Sequence, residues 1–196
     1  VVKKQKPKKI IYLSSNAVYG VHKNNKLIDE KTKICTDTFY GKSKHLFEKS
    51  LKQSLGLKNI KRLIILRPAI VYGPKEKFIA GNPYGFSKLL LRGKKISIWG
   101  DGTEVREFLY VQDLTKIIIH LMKAKFFGVL NVGGICLSYI ALIKKISKFL
   151  KLKPEIVYMK RTSAKVNKVY SRKLFKEILP NIKFTSIEKG IYKTLS

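Results

Sequence analysis

The chain has 196 residues, with 42 Lys and Arg against 12 Asp and Glu, which gives a formal net charge of +30. Because 45% of the residues are hydrophobic, the chain can bury a core, which excludes a disordered basic tail, and its length suits one domain or slightly more. No apolar run approaches the ~18 residues of a membrane span, and the N-terminus lacks the apolar stretch of a signal peptide. Cys35 and Cys136 are too few for a disulfide framework and are not spaced as metal ligands, so a reducing cytoplasm is expected.

The predicted elements alternate between strands and helices. The run Ile10–Ser15 is apolar and β-branched and predicts a buried parallel strand, which a polar loop follows. A helical pattern extends from Phe39 to Leu55, and Gly56 is the expected stop. Further strands are predicted at 63–66, 96–99, 107–111, 127–132 and 155–159, and further helices at 86–91, 112–125, 140–150, 173–178 and from 186 onward.

This alternation predicts an α/β fold with a largely parallel sheet. A parallel strand that is buried on both faces needs a neighbour on each side, and the chain reaches such a strand within its first ten residues or so. The sheet is therefore expected to be incomplete in this chain.

The positive charge has two interpretations. Clustered Lys and Arg would favour a nucleic-acid-binding protein, because they neutralise phosphates. Here Lys is scattered along the whole length, Arg is rare, and the compact basic run is limited to Lys3–Lys9. Nucleic-acid binding therefore remains a remote alternative, and most Lys residues are expected on solvated surface.

Three residues could carry proton chemistry. Tyr40 and Lys44 lie four residues apart at the start of the first predicted helix, so they share one face. An ammonium group stabilises a nearby phenolate, and such a Tyr can exchange a proton with a sugar hydroxyl or carbonyl. Taken alone, a Tyr and a Lys at this spacing can also occur by chance on the surface of any Lys-rich helix. Ser15 ends the first predicted strand, where α/β sheets place ligand-binding groups, so the three side chains could converge.

Five motifs, in this order, resemble the extended short-chain dehydrogenase/reductase superfamily. They are LSSNAVYG (13–20), YGKSK (40–44), LRPAIVYGP (66–74), GDGTEVREFLYVQD (100–113) and NVGG (131–134). The resemblance is to the NAD-dependent epimerase/dehydratase family, which acts on nucleotide sugars, and it covers essentially the whole chain. It implies the C-terminal part of a doubly wound, Rossmann-like parallel sheet with a smaller α/β substrate-binding region.

The resemblance implies roles for the matching residues. Ser15 would hydrogen-bond the reacting sugar oxygen, Tyr40 would be the acid/base, and Lys44 would hold the nicotinamide ribose, while NAD exchanges hydride with the sugar carbon. The residues implied at the cofactor are Tyr40, Lys44, Pro68 and Val71, and those implied at the nucleotide sugar are Asn82, Trp99, Arg106 and Arg161.

Several of these residues also have plainer interpretations. Arg106 resembles the Arg that binds the substrate pyrophosphate, for which its forked guanidinium is suited, but it could pair with Glu104 or Glu107 instead. Trp99 could be a core residue, Asn82 an ordinary loop residue, and the segment from Pro68 to Tyr72 simple strand-end packing. Arg161 lies in a segment that aligns poorly with the family.

The sequence also departs from the family. It contains no Gly-rich G-x-x-G-x-x-G loop, the element that cradles the cofactor pyrophosphate, so the chain resembles the C-terminal two-thirds of the family's fold. Residues 1–74 are expected to form the rest of the Rossmann-like domain, and residues 75–196 mainly the substrate-binding region, with segments at about 103–133 returning to the sheet. Asn16 and Ala17 replace the Asp-Glu pair of 4,6-dehydratases, which disfavours dehydration.

The sequence therefore predicts an NAD-dependent nucleotide-sugar epimerase-like protein. With no Gly-rich loop, these 196 residues alone are expected to bind NAD poorly and to lack epimerase activity. The alternatives are a nucleotide-sugar reductase of the same family, an inactive fragment, or a subunit completed by a separate N-terminal fragment. The family also implies a homodimer through the Tyr40–Leu55 helix. No metal is expected, because His22, His45 and His120 lack ligand spacing.

Overall fold

A computed structural model of the chain describes residues 7–21, 27–74, 81–162 and 164–196. The strands are β1 (Ile10–Leu13), β2 (Leu63–Pro68), β3 (Ile70–Tyr72), β4 (Ile96–Trp99), β5 (Val105–Tyr110), β6 (Gly128–Val132), β7 (Ile135–Ser138) and β8 (Ile156–Met159). The helices are α1 (Phe39–Asn59), α2 (Pro83–Leu91), α3 (Val111–Lys123), α4 (Tyr139–Leu150), α5 (Lys173–Ile178) and α6 (Ile187–Leu195), with short 3-10 helices at Asn16–Tyr19 and Ile60–Arg62. None of the helices within the described ranges is long and apolar enough to cross a membrane.

The chain divides into two compact units. Unit 1 comprises Val1–Ala69, Thr115–Val132 and Tyr170–Ile182, and unit 2 comprises Ile70–Leu114, Gly133–Val169 and Lys183–Ser196. Both units are built from separate stretches of the chain, so each core depends on contacts between residues far apart in sequence.

Unit 1 contains a three-stranded sheet in the order β1-β2-β6, and both strand pairs are parallel. Every residue of β2 is buried, because β2 lies between the other two strands. The prediction that the first strand is buried is wrong. Most of β1 is half-buried and Leu13 is 43% exposed, because β1 is the edge strand of the sheet that the described residues form.

The helices of unit 1 follow their apolar patterns. Ile117 and Leu121 in α3 are buried four residues apart, at the spacing that places side chains on one helical face. In α1 the backbone leaves the helical conformation at Gly56, where φ is 64°. Glycine adopts this left-handed conformation without a steric penalty, so the predicted stop at Gly56 is an interruption of the helix.

Unit 2 contains a three-stranded sheet in the order β3-β5-β7 and a separate parallel pair, β4 and β8. β3 pairs with β5 in parallel, and β7 pairs with β5 in antiparallel fashion. The sequence did not predict β3 or β7. Fully buried residues of this core include Ile96, Phe108, Leu142, Ile143, Ile146 and Ile187.

The prediction of an α/β fold with largely parallel pairing is confirmed. Four of the strand pairs are parallel, and the β5–β7 pair is the antiparallel exception among the described strands. In unit 1 the carboxyl ends of β1, β2 and β6 lie at one edge of the sheet, which is where α/β sheets bind ligands.

Candidate functional site

Ser15 lies just after the carboxyl end of β1 and is 9% exposed. Its Oγ accepts a hydrogen bond from the Ala17 N–H at 3.1 Å and so caps the 3-10 helix that follows. This bond uses an oxygen lone pair, so the Ser15 O–H can still donate to a substrate oxygen.

Tyr40 and Lys44 occupy the first turns of α1. The Tyr40 side chain is 56% exposed, and Lys44 Nζ lies 5.7 Å from the centroid of its ring. Lys44 Nζ also donates a hydrogen bond to the Leu13 carbonyl oxygen at 3.0 Å, which ties the ammonium group to the end of β1. The structure thus brings together the Tyr/Lys pair that the sequence predicted and holds its charge in place.

The 3-10 helix that Ser15 caps packs tightly against the start of α1. A Cβ built on Gly41 would lie 2.5 Å from the Ala17 carbonyl oxygen, so no larger residue fits at position 41 without a backbone shift. This close approach places Ser15 on a segment that contacts the same helical turn as Tyr40. All three predicted catalytic residues therefore lie in unit 1, on elements that touch one another.

A buried polar network lies behind these residues, and the sequence analysis missed it. Arg67 Nη2 and Nε donate to the two carboxylate oxygens of Glu48 at 2.6 and 3.0 Å, and Ser14 Oγ donates to the same carboxylate at 2.5 Å. Arg67 Nη1 donates to Tyr19 Oη at 2.9 Å, and that hydroxyl donates to Asn131 Oδ1 at 2.8 Å. The signal in the sequence was Arg67, a charged residue within the apolar strand β2.

The charges of this network are stabilised by their partners. Burial alone would raise the pKa of the Glu48 carboxyl, but the hydrogen bonds from Arg67 and Ser14 hold it below its ordinary value. Glu48 and Arg67 are 2% and 3% exposed. The network therefore links α1, β2 and the segment after β1 through a buried, fully charged pair.

The two residues predicted to line the nicotinamide lie in different units. Pro68 is buried at the end of β2 and pairs with Val132, whereas Val71 is half-buried in β3 and pairs with Leu109. Both occupy strand positions that suit ordinary packing. Their contact with a cofactor stays a prediction.

Unit 2 contains a cavity of about 550 Å³. Trp99 lines it and is 58% exposed, so the alternative of a core Trp is wrong. The sequence analysis did not predict that Tyr139 and Lys95 would line the cavity too. Its walls are formed by Phe86, Leu89, Ile98, Trp99, Glu104 and Tyr139, among others.

Arg106 and Arg161 converge on one carboxylate of the cavity wall. Arg161 Nη1 donates to Glu104 Oε1 at 2.8 Å, and Arg106 Nη2 lies 3.5 Å from Glu104 Oε2. The Val166 N–H also donates to Glu104 Oε1, at 3.1 Å. The structure thus brings together the two predicted phosphate ligands, and it shows the Arg106–Glu104 pairing that was the plainer interpretation.

Asn82 is 3% exposed and serves as the N-cap of α2. Its Oδ1 accepts a hydrogen bond from the Gly85 N–H at 2.8 Å, and Pro83 follows at the first helical position. The sequence Asn-Pro before an apolar run was the signal for this cap, which the sequence analysis missed. The predicted contact of Asn82 with the substrate stays a prediction.

Two of the three histidines, His45 and His120, lie within the described residues. His45 Nδ1 lies 4.0 Å from Glu48, and His120 Nδ1 lies 2.8 Å from the Lys116 carbonyl oxygen. His22 lies outside the described residues. Within the described parts of the chain, no group of three or more His, Cys, Asp or Glu could hold a metal ion.

Comparison with known proteins agrees with the motifs. The model of the family described as "NAD dependent epimerase/dehydratase family" matches residues 1–133. An N-acetyl-alpha-D-glucosaminyl-diphospho-ditrans,octacis-undecaprenol 4-epimerase of Escherichia coli O157:H7 is 33% identical over 59% of this chain and 34% of its own length. A protein described as a putative UDP-glucose 4-epimerase of Methanocaldococcus jannaschii is 32% identical over 83% of this chain and 53% of its own length.

The fold matches solved epimerase structures. The UDP-N-acetylglucosamine 4-epimerase of Methanobrevibacter ruminantium, solved with UDP-N-acetylmuramic acid, superposes with a TM-score of 0.83 at 27% identity, over 99% of this chain and 64% of that one. This similarity confirms the Rossmann-like α/β fold. The chain spans 34% and 53% of the two curated relatives and 64% of the solved structure.

Proposed function

Since the chain belongs to the NAD dependent epimerase/dehydratase family, we propose that it carries the acid–base and substrate-binding residues of a nucleotide-sugar epimerase. The observation that carries this proposal is that Ser15, just after the parallel strand β1, caps a 3-10 helix that packs against the turn of α1 with Tyr40 and Lys44. Each of the three is on an element held by a specific contact, and the Tyr40 phenol is open to solvent.

In the proposed reaction, the side chains move and hold protons. Tyr40 takes the proton from the sugar hydroxyl oxygen and returns it, and Ser15 donates a hydrogen bond to that oxygen. Lys44 supplies a positive charge that its bond to the Leu13 carbonyl oxygen holds beside the Tyr40 ring. NAD, when bound, supplies the hydride chemistry.

The residues present fit one half of NAD better than the other. The Lys44 ammonium and the Tyr40 phenol at the strand end suit the nicotinamide ribose. The sequence contains no G-x-x-G-x-x-G loop for the pyrophosphate. We therefore expect weak NAD binding by these 196 residues alone.

We assign the nucleotide-sugar end to unit 2. Its cavity offers the Trp99 ring for a nucleotide base, and Arg106 and Arg161, which contact the lining residue Glu104, suit a diphosphate. Asn82 is the further substrate contact that the family resemblance implies. Unit 1 would then carry the catalytic residues. The chain's similarity to UDP-sugar epimerases supports a nucleotide sugar as the substrate.

Turnover tests the proposal. The product of the complete natural gene is assayed with NAD and UDP-glucose, UDP-N-acetylglucosamine or UDP-glucuronic acid, beside the 196-residue chain. The Tyr40→Phe variant should lose at least about 100-fold in turnover, because it removes the phenol oxygen that takes and returns the proton. Tyr192→Phe, at a 66% exposed position on α6, is the matched control and should retain full activity.

Two results would count against the proposal. Unchanged turnover of the Tyr40→Phe variant would remove the acid/base role. Net consumption of NADH with a 4-dehydro sugar, without epimerisation of any UDP-sugar, would show the reductase alternative instead.

A further inference from the structure

The two arginines proposed to bind the substrate diphosphate are already bound to an anion within the protein. Glu104 is 12% exposed, and its carboxylate receives Arg161, Arg106 and the Val166 N–H. Burial would raise the pKa of Glu104, but the Val166 N–H and the two guanidinium groups lower it, so Glu104 is ionised at neutral pH. Of these residues, Glu104 lines the 550 Å³ cavity, and the two arginines contact the cavity through its carboxylate.

The arginines have little freedom to turn to another partner while Glu104 holds them. Arg161 Nη2 donates to the Trp99 carbonyl oxygen at 3.2 Å, and a Cβ built on Gly100 would lie 2.5 Å from the same nitrogen. Arg106 Nη1 donates to the Val105 and Val166 carbonyl oxygens at 2.9 and 2.5 Å. Each guanidinium group is therefore held both by backbone carbonyl oxygens and by the Glu104 carboxylate.

We propose that Glu104 is an internal competitor for the diphosphate of the nucleotide substrate and sets the affinity of the site. The inference rests on the proposed function, in which Arg106 and Arg161 bind the diphosphate. A diphosphate bound by these arginines lies near the Glu104 carboxylate, so the two negative charges repel each other and compete for the same N–H groups. Glu104 thus limits how tightly the cavity holds a nucleotide diphosphate and favours its release.

Substitution of Glu104 by Gln separates charge from shape. Gln keeps an oxygen that can accept from Arg161 and from the Val166 N–H, but it removes the negative charge. The Glu104→Gln variant should bind UDP at least about tenfold more tightly than the unmodified chain, since removing a charge a few ångströms away has effects of this size. Binding of uridine, which lacks the diphosphate, should be unchanged.

The experiment is isothermal titration of the purified chain with UDP and with uridine. Glu188→Gln is the matched control, because Glu188 likewise forms an ion pair, with Lys145 at 2.7 Å, but does not line the cavity. Its affinity for UDP should equal that of the unmodified chain. Equal UDP binding by the Glu104→Gln variant would overturn the inference. Weaker binding would also overturn it and would show Glu104 to be a positioning residue for the arginines.

The Arg106→Ala and Arg161→Ala variants separate this inference from the proposed function. If neither substitution weakens UDP binding by the unmodified chain, the proposed site itself is wrong. If both weaken it and Glu104→Gln does not strengthen it, the competition alone is wrong.

A measurement without substitution covers the case in which the Glu104→Gln variant fails to fold. The 13C NMR signal of the Glu104 carboxyl in the unmodified chain should shift when UDP is added and stay in place with uridine, because UDP displaces the carboxylate from Arg161. An unshifted signal at saturating UDP would contradict the competition.

Discussion

At the residue scale, the candidate active site depends on a buried ion pair that takes no part in the chemistry. Glu48 lies one helical turn after Lys44, and its partner Arg67 lies in β2. A bidentate pair of this kind fixes both position and rotation of the two side chains. The Glu48–Arg67 pair therefore holds α1, and with it Tyr40 and Lys44, against the sheet of unit 1.

Removing the charge of one partner of the Glu48–Arg67 pair should lower the stability of the chain. The Glu48→Gln variant leaves the Arg67 guanidinium buried without its counter-charge, and we expect a loss of about 3–5 kcal/mol in the free energy of unfolding. The exposed pair between Lys145 and Glu188 gives the control, because Glu188→Gln should cost less than about 1 kcal/mol. Urea denaturation followed by circular dichroism measures both.

The same variant has a pH signature. The pKa of Glu48 is lower in the folded chain than its ordinary value of 4.5, so the unfolded chain binds more protons as the pH falls. The stabilisation is complete above the ordinary pKa and is lost as the pH falls through the folded pKa. The gap in stability between the unmodified chain and Glu48→Gln should therefore shrink below about pH 4.5, and a gap that widens in acid would contradict the assignment.

Some contacts of the candidate site could be predicted from the sequence and others could not. Tyr40 and Lys44 could be predicted because helical periodicity alone places them together. The pairing of Glu104 with Arg161 could not, because the two residues are 57 positions apart and Arg161 lies after β8, in a segment whose course the sequence pattern does not define. The exposure of Trp99 depends in the same way on where β4 lies in unit 2.

At the element scale, α1 has an apolar face that unit 1 does not cover. Phe39, Leu46 and Phe47 are 91%, 64% and 52% exposed. Contiguous exposed apolar side chains on one helix commonly mark an interface. From this exposure we propose the homodimer through the Tyr40–Leu55 helix that the family resemblance implies.

The Leu46→Lys variant tests this pairing. A Lys in the centre of an apolar interface should raise the dimer dissociation constant about 30-fold, which corresponds to about 2 kcal/mol. Met122→Lys, at a 63% exposed position on α3, should leave association unchanged. Sedimentation velocity over a concentration series measures both variants, and an unmodified chain that remains monomeric at high concentration would exclude the dimer.

Most helices could be predicted from the sequence, whereas two strands could not. Helices α3 and α4 are long enough for a 3.6-residue apolar period to show. β3 has three residues, which is too short for an alternating pattern to be distinguished from a loop. β7 has four residues, as many as the predicted β4, so its length alone does not explain why it was missed. Both segments are strands because each pairs with β5. These pairings join residues far apart in sequence, so a local pattern does not show them. β1 was predicted as buried from its apolar residues, but its position at the sheet edge decides its exposure.

At the scale of the whole molecule, the charge of +30 is the dominant property. Few of these charges are neutralised by pairing, since 12 acidic residues face 42 basic ones. Such an excess creates a positive potential that attracts anions over a distance set by the ionic strength. The proposed substrates are anionic, so we expect the net charge to raise their association rate constant. The affinity of the bound nucleotide would depend on Arg106 and Arg161.

The positive charge predicts that salt slows the association of charged UDP more than that of uncharged uridine. The association rate constant of UDP should fall about tenfold between roughly 0.01 M and 0.15 M salt, because the Debye length shortens from about 30 Å to about 8 Å. Uridine carries no charge, so its association rate should change less than about twofold over the same range. Stopped-flow measurement of the Trp99 fluorescence follows both ligands, since Trp99 lines the cavity and is the chain's single Trp. Equal salt dependence for the two ligands would mean that the surface Lys residues do not guide the nucleotide to its site.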